Sequence, residues 1–283
     1  MRIEDAVVVG IEAGDPDRPL LGWAAEEAAA RKVGVVVCHV WEWGDVEHAP
    51  RLLPDVETAA PTPAEVRVRE AVRRLREWYP DVDVSAVFAQ GRPARTLLHV
   101  SERARLLVVG ARGRGGFAGL QLGSVSAHLA AHARCPVAVV RPPSTSVAVD
   151  VVAGVDGWPG SERTVRLAAE EAERLGGKLV LVHGYRLPLP AEYGPNPGID
   201  EPHRRAEAED LAERAAASLA GVDLDVEARA VHGAPAAVLL DAAADAAVLV
   251  VGARGVDGVA GLALGSVSQQ VLRHAPCTTV VAR

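Results

Sequence analysis

Short apolar runs alternate along the chain with longer stretches whose apolar residues recur at helical spacing. In the first half, apolar runs at 6–11, 33–40, 106–109 and 137–140 and an alternating run at 82–89 are separated by amphipathic stretches rich in Ala, Glu and Arg. Short valine-rich runs between helices are typical of βαβ units, and runs without polar alternation are typical of strands buried on both faces of a parallel sheet. The pattern predicts an α/β fold.

The same pattern occurs twice. Residues 108–135 align with 250–277 without a gap, and the first strand and helix at 7–32 match 151–178. Internal self-similarity of this kind indicates a tandem duplication. Each copy predicts about five strands, which right-handed crossovers order as a doubly wound, mostly parallel sheet flanked by helices.

A polar segment with two prolines, RPPSTS at 141–146, separates the two copies and marks the boundary. We predict two domains, 1–141 and 148–283, joined by the linker 142–147. Ligands of such domains bind beyond the carboxyl ends of the strands, where the strand order reverses. In the first domain we expect the four-proline stretch at 43–63 to be a long loop.

Composition narrows the class of protein. The 283 residues carry a formal net charge of -7, which argues against a nucleic-acid partner because binding a phosphate backbone needs clustered basic residues. No apolar run approaches the ~20 residues that span a bilayer, and the N-terminus lacks a signal-peptide layout, so we expect a cytoplasmic protein without a membrane partner. Cys38, Cys135 and Cys277 lack CxxC spacing and are interpreted as buried free thiols.

A glycine-rich loop follows an apolar run in each copy, and two familiar phosphate-binding loops do not describe it. A P-loop requires a lysine, and neither loop contains one. The first copy fits the dinucleotide pattern GxGxxA at 113–118, but the second copy lacks the middle glycine. That pattern also needs an acid ~20 residues on, yet no Asp or Glu occurs between Glu102 and Asp150.

Both loops share a glycine, two residues, a glycine, nine residues, and then Gly-Ser at the start of a predicted helix. Glycine at the end of a strand lets the backbone approach a ligand closely. Hydroxyls and first-turn N–H groups at a helix start together favour an anion, and an arginine within each loop adds charge. The shared positions are Gly110, Gly113, Gly123 and Ser124, with Arg112, and Gly252, Gly255, Gly265 and Ser266, with Arg254.

With this motif the chain resembles the universal stress protein family in its tandem form. The spacing G-2x-G-9x-G-[ST] marks that family's ATP-binding branch, and "GVDGWPGS" after the first strand of the second copy and "VHG" or "CHV" at the second strand extend the resemblance over both halves. The resemblance implies two domains packed as a pseudo-dimer through their last strands, 137–140 and 278–282. The oligomeric state above that pseudo-dimer and the protein partner stay open.

The resemblance also implies a ligand, ATP with Mg²⁺ or Mn²⁺, while AMP or another adenine nucleotide stays open. An acid after the first strand and backbone after the second would hold the adenine, and the glycine loop would hold ribose and phosphates. The implied binding residues of the first half are Glu12, Val40, Gly110, Arg112, Gly113, Gly123, Ser124, Val125 and Ser126. Those of the second half are Asp156, Gly184, Gly252, Arg254, Gly255, Gly265, Ser266, Val267 and Ser268.

Two positions depart from the family pattern. Glu12 stands where the pattern has aspartate, and Gly184 replaces the usual apolar residue, although a backbone contact survives that change. Structural roles compete with binding roles at several positions. Asp156 is also suited to shaping a turn, and Ser124 and Ser266 to capping a helix.

We therefore predict an ATP-binding regulatory protein of the stress response, with no catalytic residues. One alternative is an enzyme on a related fold, such as a slow ATPase or an adenylyl transferase, but the sequence lacks HxGH, SGGxD and a lysine near either loop. The other is a scaffold that binds no nucleotide, against which the doubled glycine motif speaks.

Overall fold

The structure is a computed structural model that describes residues 3–12, 18–41, 51–54, 62–112, 121–141, 148–158, 160–187, 201–254 and 264–283, with backbone alone at 51–54. The chain divides into two compact units, Met1–Pro142 and Pro143–Arg283.

The first unit is a doubly wound sheet whose strands run in the order β3-β4-β2-β1-β5-β6. All described pairs are parallel except β3 with β4, which is antiparallel. The strands are β1 Val7–Ile11, β2 Val35–Trp41, β3 Arg51–Pro54, β4 Val84–Gln90, β5 Leu106–Gly110 and β6 Val137–Val140. The helices are α1 Arg18–Arg31, α2 Pro63–Trp78, α3 Pro93–Val100 and α4 Ser124–His132.

The second unit repeats this arrangement with five described strands in the order β11-β10-β7-β8-β9, all parallel. Its strands are β7 Val151–Gly154, β8 Leu179–Tyr185, β9 Val226–His232, β10 Val248–Gly252 and β11 Thr278–Ala282. Its helices are α5 Ser161–Leu175, α6 Glu201–Ala217, α7 Pro235–Ala242 and α8 Ser266–His274.

The predicted fold class is confirmed, with one addition in the first unit. The stretch at 43–63 was expected to be a loop throughout, but it contains β3, which pairs with β4 and forms the edge of the sheet. Four residues that end in proline carry too little pattern to predict a strand. Proline is tolerated there because an edge strand leaves one row of backbone groups unpaired.

The central strands are buried because helices pack against them. Val7, Val8 and Val9 of β1 are all 0% exposed, as expected for a parallel strand covered on both faces. Glycine lets one helix come closer: a Cβ on Gly154 of β7 would stand 2.9 Å from the Leu239 side chain of α7. The core thereby holds α7 close against β7, the strand that leads towards Asp156.

Each unit also buries a glutamate in its first helix. Glu27 of α1 is 0% exposed and its Oε2 lies 3.0 Å from an Arg31 guanidinium nitrogen. Glu171 of α5 is likewise 0% exposed and lies 3.0 Å from Arg174. Both glutamates fall in stretches that the sequence describes only as amphipathic. A charge removed from water needs such a partner, because its desolvation costs several kcal/mol.

Candidate functional site

The carboxyl ends of three strands meet at one edge of each sheet, at the point where the strand order reverses. In the first unit β1 lies between β2 on one side and β5 on the other, so the chain segments that leave β1 and β5 diverge, which is the arrangement that opens a crevice in doubly wound sheets. In the second unit β7 lies between β8 and β10 in the same way. Such crevices are where doubly wound sheets bind ligands.

Main-chain hydrogen bonds hold the two ends of the first glycine-rich loop together. Ala111 N donates to Val140 O at 2.8 Å, which ties the end of β5 to β6, and Gly123 N donates to Ala111 O at 2.7 Å. The residues that leave the strand and the residues that enter α4 are therefore adjacent. Gly113 lies outside the described residues.

The second loop is closed by the same two bonds. Ala253 N donates to Ala282 O at 3.0 Å, and Gly265 N donates to Ala253 O at 2.8 Å. Gly255 lies outside the described residues. The equivalence holds atom for atom, so the strand end and the helix start form one preformed unit in each half.

Glycine occupies the N-cap position of the helix that follows each loop. Gly123 caps α4 with φ -71° and ψ 152°, and Gly265 caps α8 with φ -67° and ψ 155°. Because glycine has no side chain, it cannot accept the hydrogen bonds that Ser, Thr, Asp or Asn would accept from the first-turn N–H groups. Those N–H groups also have no acceptor inside the helix. The helix start is thus suited to an anion.

The backbone does not require glycine at these two positions. Torsions near φ -70° and ψ 150° are open to any L-residue. Elsewhere the chain does require it, since Gly91 has φ 139° and Gly233 has φ 156°. Backbone torsions alone therefore do not explain why glycine occurs at Gly123 and Gly265.

Two serines of the motif hold the helix to the strand. Ser126 Oγ donates to Gly110 O at 2.7 Å, and Ser268 Oγ donates to Gly252 O at 2.6 Å. Both serines are buried, at 5% and 6% exposure. Sequence analysis grouped them with the ligand-binding residues, but their hydroxyl hydrogens are used on the carbonyls of the strand ends.

The other motif residues at the helix start face outward or are half-buried. Ser124 and Ser266 are exposed in the first position of the helix. Arg112 and Arg254 are exposed as well, whereas Val125 and Val267 are half-buried. The exposed hydroxyls of Ser124 and Ser266 lie beside N–H groups that no side chain caps. Together with the exposed arginines, they are suited to an anionic ligand.

Neighbouring atoms crowd the strand-end glycines, so the fold constrains these positions independently of any ligand. A Cβ on Gly252 would stand 3.1 Å from Arg254 O and 3.2 Å from Thr164 Oγ1, and one on Gly110 would stand 3.4 Å from Arg112 O. The turn after the strand therefore leaves little room for a side chain at this position. At the second strand, a Cβ on Gly184 would stand 2.8 Å from Pro235 Cα, which explains the departure from an apolar residue there.

The acid after the first strand shapes a turn in the second half. Asp156 Oδ1 accepts hydrogen bonds from Trp158 N at 3.1 Å and from Ser161 Oγ at 2.5 Å. This pattern supports the alternative that Asp156 orders the turn into α5. The matching Glu12 is exposed, and Val40 at the end of β2 is half-buried.

In each unit a histidine of the second strand joins that strand to the end of the first strand. His39 Nδ1 lies 3.0 Å from Ile11 O, and His183 Nδ1 lies 2.8 Å from Val155 O. Because a carbonyl oxygen only accepts, Nδ1 carries the hydrogen in both rings. The signal was present, since the two histidines occupy equivalent positions of the repeat.

Among the described residues, no cluster of three or more His, Cys, Asp or Glu side chains is placed to hold a metal ion. Cys38, Cys135 and Cys277 are buried and form no disulfide bond, and burial raises the pKa of Cys38 to about 12. In the part of the chain that the structure covers, no helix is long and apolar enough to cross a membrane.

The doubled loop, strand and helix arrangement agrees with a family match. The model of the universal stress protein family matches residues 5–141 and 150–283. The chain belongs to the universal stress protein family. Its match on each half agrees with the internal repeat, so the tandem form of the family is established.

Relatives in this family extend over the whole chain. Universal stress protein Rv2005c of Mycobacterium tuberculosis is 33% identical over 300 residues, which cover 100% of this chain and 98% of the relative. Universal stress protein Rv2623 of the same organism is 33% identical over 303 residues, covering 98% and 96%.

Solved structures show the same fold. A putative universal stress protein from Pseudomonas aeruginosa UCBPP-PA14 has a TM-score of 0.69 at 16% identity and covers 99% of this chain and 93% of its own. A universal stress protein from Archaeoglobus fulgidus has a TM-score of 0.61 at 19% identity, covering 99% and 97%.

Proposed function

We propose that each half of the chain binds one adenine nucleotide, ATP, and that the protein acts as a nucleotide-responsive regulator in the stress response. The observation that carries the proposal is the pair of glycine-capped helices at Gly123 and Gly265. Each combines first-turn N–H groups that no side chain caps with a glycine that the backbone torsions do not require. An approaching phosphate group accounts for both properties.

In this proposal the phosphates lie at the starts of α4 and α8. N–H groups of the first helical turn donate to phosphate oxygens, and the exposed hydroxyls of Ser124 and Ser266 add one donor each. Arg112 and Arg254 contribute positive charge from the loop. A divalent ion would neutralise phosphate charge, held by phosphate oxygens and these hydroxyls. Ser126 and Ser268 position the helix.

The adenine lies at the ends of the first two strands of each unit. Backbone groups at Val40 and Gly184 are proposed to contact the base, with Glu12 and Asp156 as acceptors for its amino group. Asp156 is already oriented by two hydrogen bonds, whereas Glu12 is longer and exposed. We therefore expect the second half to bind the adenine end more tightly.

Nucleotide content tests the proposal directly. The chain is stripped of bound nucleotide and titrated with ATP and Mg²⁺ in a calorimeter, and we expect two equivalents per chain and ATP recovered unaltered after hours. Accumulation of ADP or AMP at a rate above that of ATP in buffer would favour the enzyme alternative. A chain that binds no ATP, and whose melting temperature ATP does not raise, would contradict the proposal.

Ser266 and Ser268 of α8 are expected to differ in their response to replacement by alanine. Ser268→Ala removes the hydrogen bond to Gly252 O, so we expect a loss of about 1 kcal/mol in stability without nucleotide, and ~5-fold weaker binding because the cradle is displaced. Ser266→Ala should leave stability within about 0.5 kcal/mol, because the side chain is exposed, and weaken binding alone.

Urea unfolding and ATP titration separate these effects. Both alanine variants are made in a chain whose first site is blocked by Gly123→Val. The heat released on adding ATP then measures binding at the second site alone. Ser268→Thr keeps the hydroxyl and is the conservative control. Equal stability losses in the two alanine variants would contradict the separate roles.

A further inference from the structure

Two histidines lie side by side on the outer surface of α4. His128 and His132 are four residues apart and both exposed, and their ring centroids are 4.5 Å apart with an interplanar angle of 28°. Residues four apart share one helix face. This pair lies outside the proposed nucleotide cradle, which uses the first turn of the same helix.

We propose that His128 and His132 form a two-histidine chelate for a divalent transition-metal ion of the Zn²⁺, Ni²⁺ and Cu²⁺ group. Zn–N bonds measure ~2.0–2.1 Å, which places two imidazole nitrogens on one ion ~3–3.5 Å apart. Ligation requires the stacked rings to rotate until both nitrogen lone pairs point at one ion, and the exposure of both side chains leaves room for this rotation. Water or an external ligand completes the coordination.

The hydrogen bonding of His132 favours ligation. Its Nδ1 lies 3.0 Å from the main-chain oxygen of His128, so Nδ1 carries the hydrogen and Nε2 holds the lone pair. A histidine that ligates a metal characteristically donates its other ring nitrogen to such an acceptor. His132 also ends α4, where the negative end of the helix dipole favours a cation.

The donor set selects the class of metal. Two neutral imidazoles suit Zn²⁺, Ni²⁺ and Cu²⁺, with Cu²⁺ bound most tightly, whereas Mg²⁺ and Ca²⁺ prefer oxygen. The same spacing in HExxH carries a glutamate that acts as general base in zinc hydrolases. Here the residue after His128 is Leu129, which is 0% exposed. The site is therefore a binding site without that hydrolytic chemistry.

The second half supplies a natural control. The equivalent helix, α8, has Gln270 and His274 at these positions, both exposed. The proposed site thus belongs to the first half alone. His128→Gln copies the second-half pair into α4, and Gln270→His copies the first-half pair into α8.

Copper titration of the full chain without an affinity tag tests the proposal. We expect one tight Cu²⁺ per chain, with two nitrogen ligands in the electron paramagnetic resonance spectrum. His128→Gln and His132→Gln should each weaken binding at least ~10-fold, because the second ligand no longer benefits from its effective concentration. Gln270→His should raise the number of tight sites to two.

Glutamine is a good helix former, and circular dichroism checks that each variant keeps its helix content. Unchanged Cu²⁺ affinity in either single variant, or a spectrum with one nitrogen ligand, would overturn the proposal. Failure of Gln270→His to add a site would contradict the claim that this spacing is sufficient. Zn²⁺ calorimetry on the same set should give the same ranking of variants.

Discussion

Replacing Gly123 and Gly265 by valine is expected to abolish ATP binding in both halves while the chain remains folded. Torsions at both positions lie in a region that β-branched residues adopt readily. The structural cost is limited to a poorer N-cap, about 1 kcal/mol or less per site. The added side chain instead occupies the space where we place the phosphates, so binding should weaken by at least ~100-fold, about 2.7 kcal/mol.

Calorimetry with ATP and Mg²⁺ measures this loss in the two single variants and in the double variant. Each single variant should lose one of the two equivalents, and Gly→Ala at the same positions should give an intermediate effect. Gly22→Ala in α1 is the control, because its Cβ would meet Tyr79 Oη at 3.5 Å, an ordinary contact, and should leave binding unchanged. Affinities within ~3-fold of the original in the double variant would rule out the proposed phosphate position.

Replacing Arg174 by leucine is expected to destabilise the second unit by about 3–5 kcal/mol. Arg174 donates through Nε and Nη2 to Oε2 of Glu171, at 3.3 Å and 3.0 Å. The Glu171 side chain is 0% exposed and that of Arg174 is 8% exposed. Losing the guanidinium removes a charge that compensates a buried carboxylate, which costs far more than breaking a surface pair.

Urea unfolding of the full chain, followed by far-ultraviolet circular dichroism, measures the loss. Arg166→Leu on the same helix is the matched control: Arg166 is exposed, and the change should stay within about 0.5 kcal/mol. The double variant Glu171→Leu with Arg174→Leu should recover most of the loss, since a well-packed apolar pair can replace a buried ion pair. A loss below about 1 kcal/mol in Arg174→Leu would show that Glu171 is compensated by other means.

The arrangement of strands was largely predictable, because a strand that is buried on both faces appears in the sequence as a continuous apolar run. Runs such as Val7–Ile11 lack polar residues, and the repeat gave a second copy of each predicted strand for comparison. Strand β3 at Arg51–Pro54 was not predictable. It is short and contacts β4 by an antiparallel register that local sequence does not encode.

The helix starts of the candidate site were predictable in position, but the directions of their side chains were not. Spacing placed Ser124 and Ser126 at a helix start, but successive residues of a helix point ~100° apart. Only coordinates show that Ser126 turns inward to Gly110 O. His39 needed the parallel register that sets it beside Ile11, and Asp156 needed the local turn that consumes one of its oxygens.

The bonds that close each glycine-rich loop bear on which loop residues the two copies keep in common. They join Ala111 to Val140 and Gly123, and Ala253 to Ala282 and Gly265, through main-chain atoms alone. Point mutation to any residue but proline leaves such a bond available. The stretch between the closing bonds is therefore released from the task of positioning the helix. The two copies nevertheless share seven of eleven residues there, in RGRGGFAGLQL and RGVDGVAGLAL. Selection on this stretch therefore acts on what the loop meets.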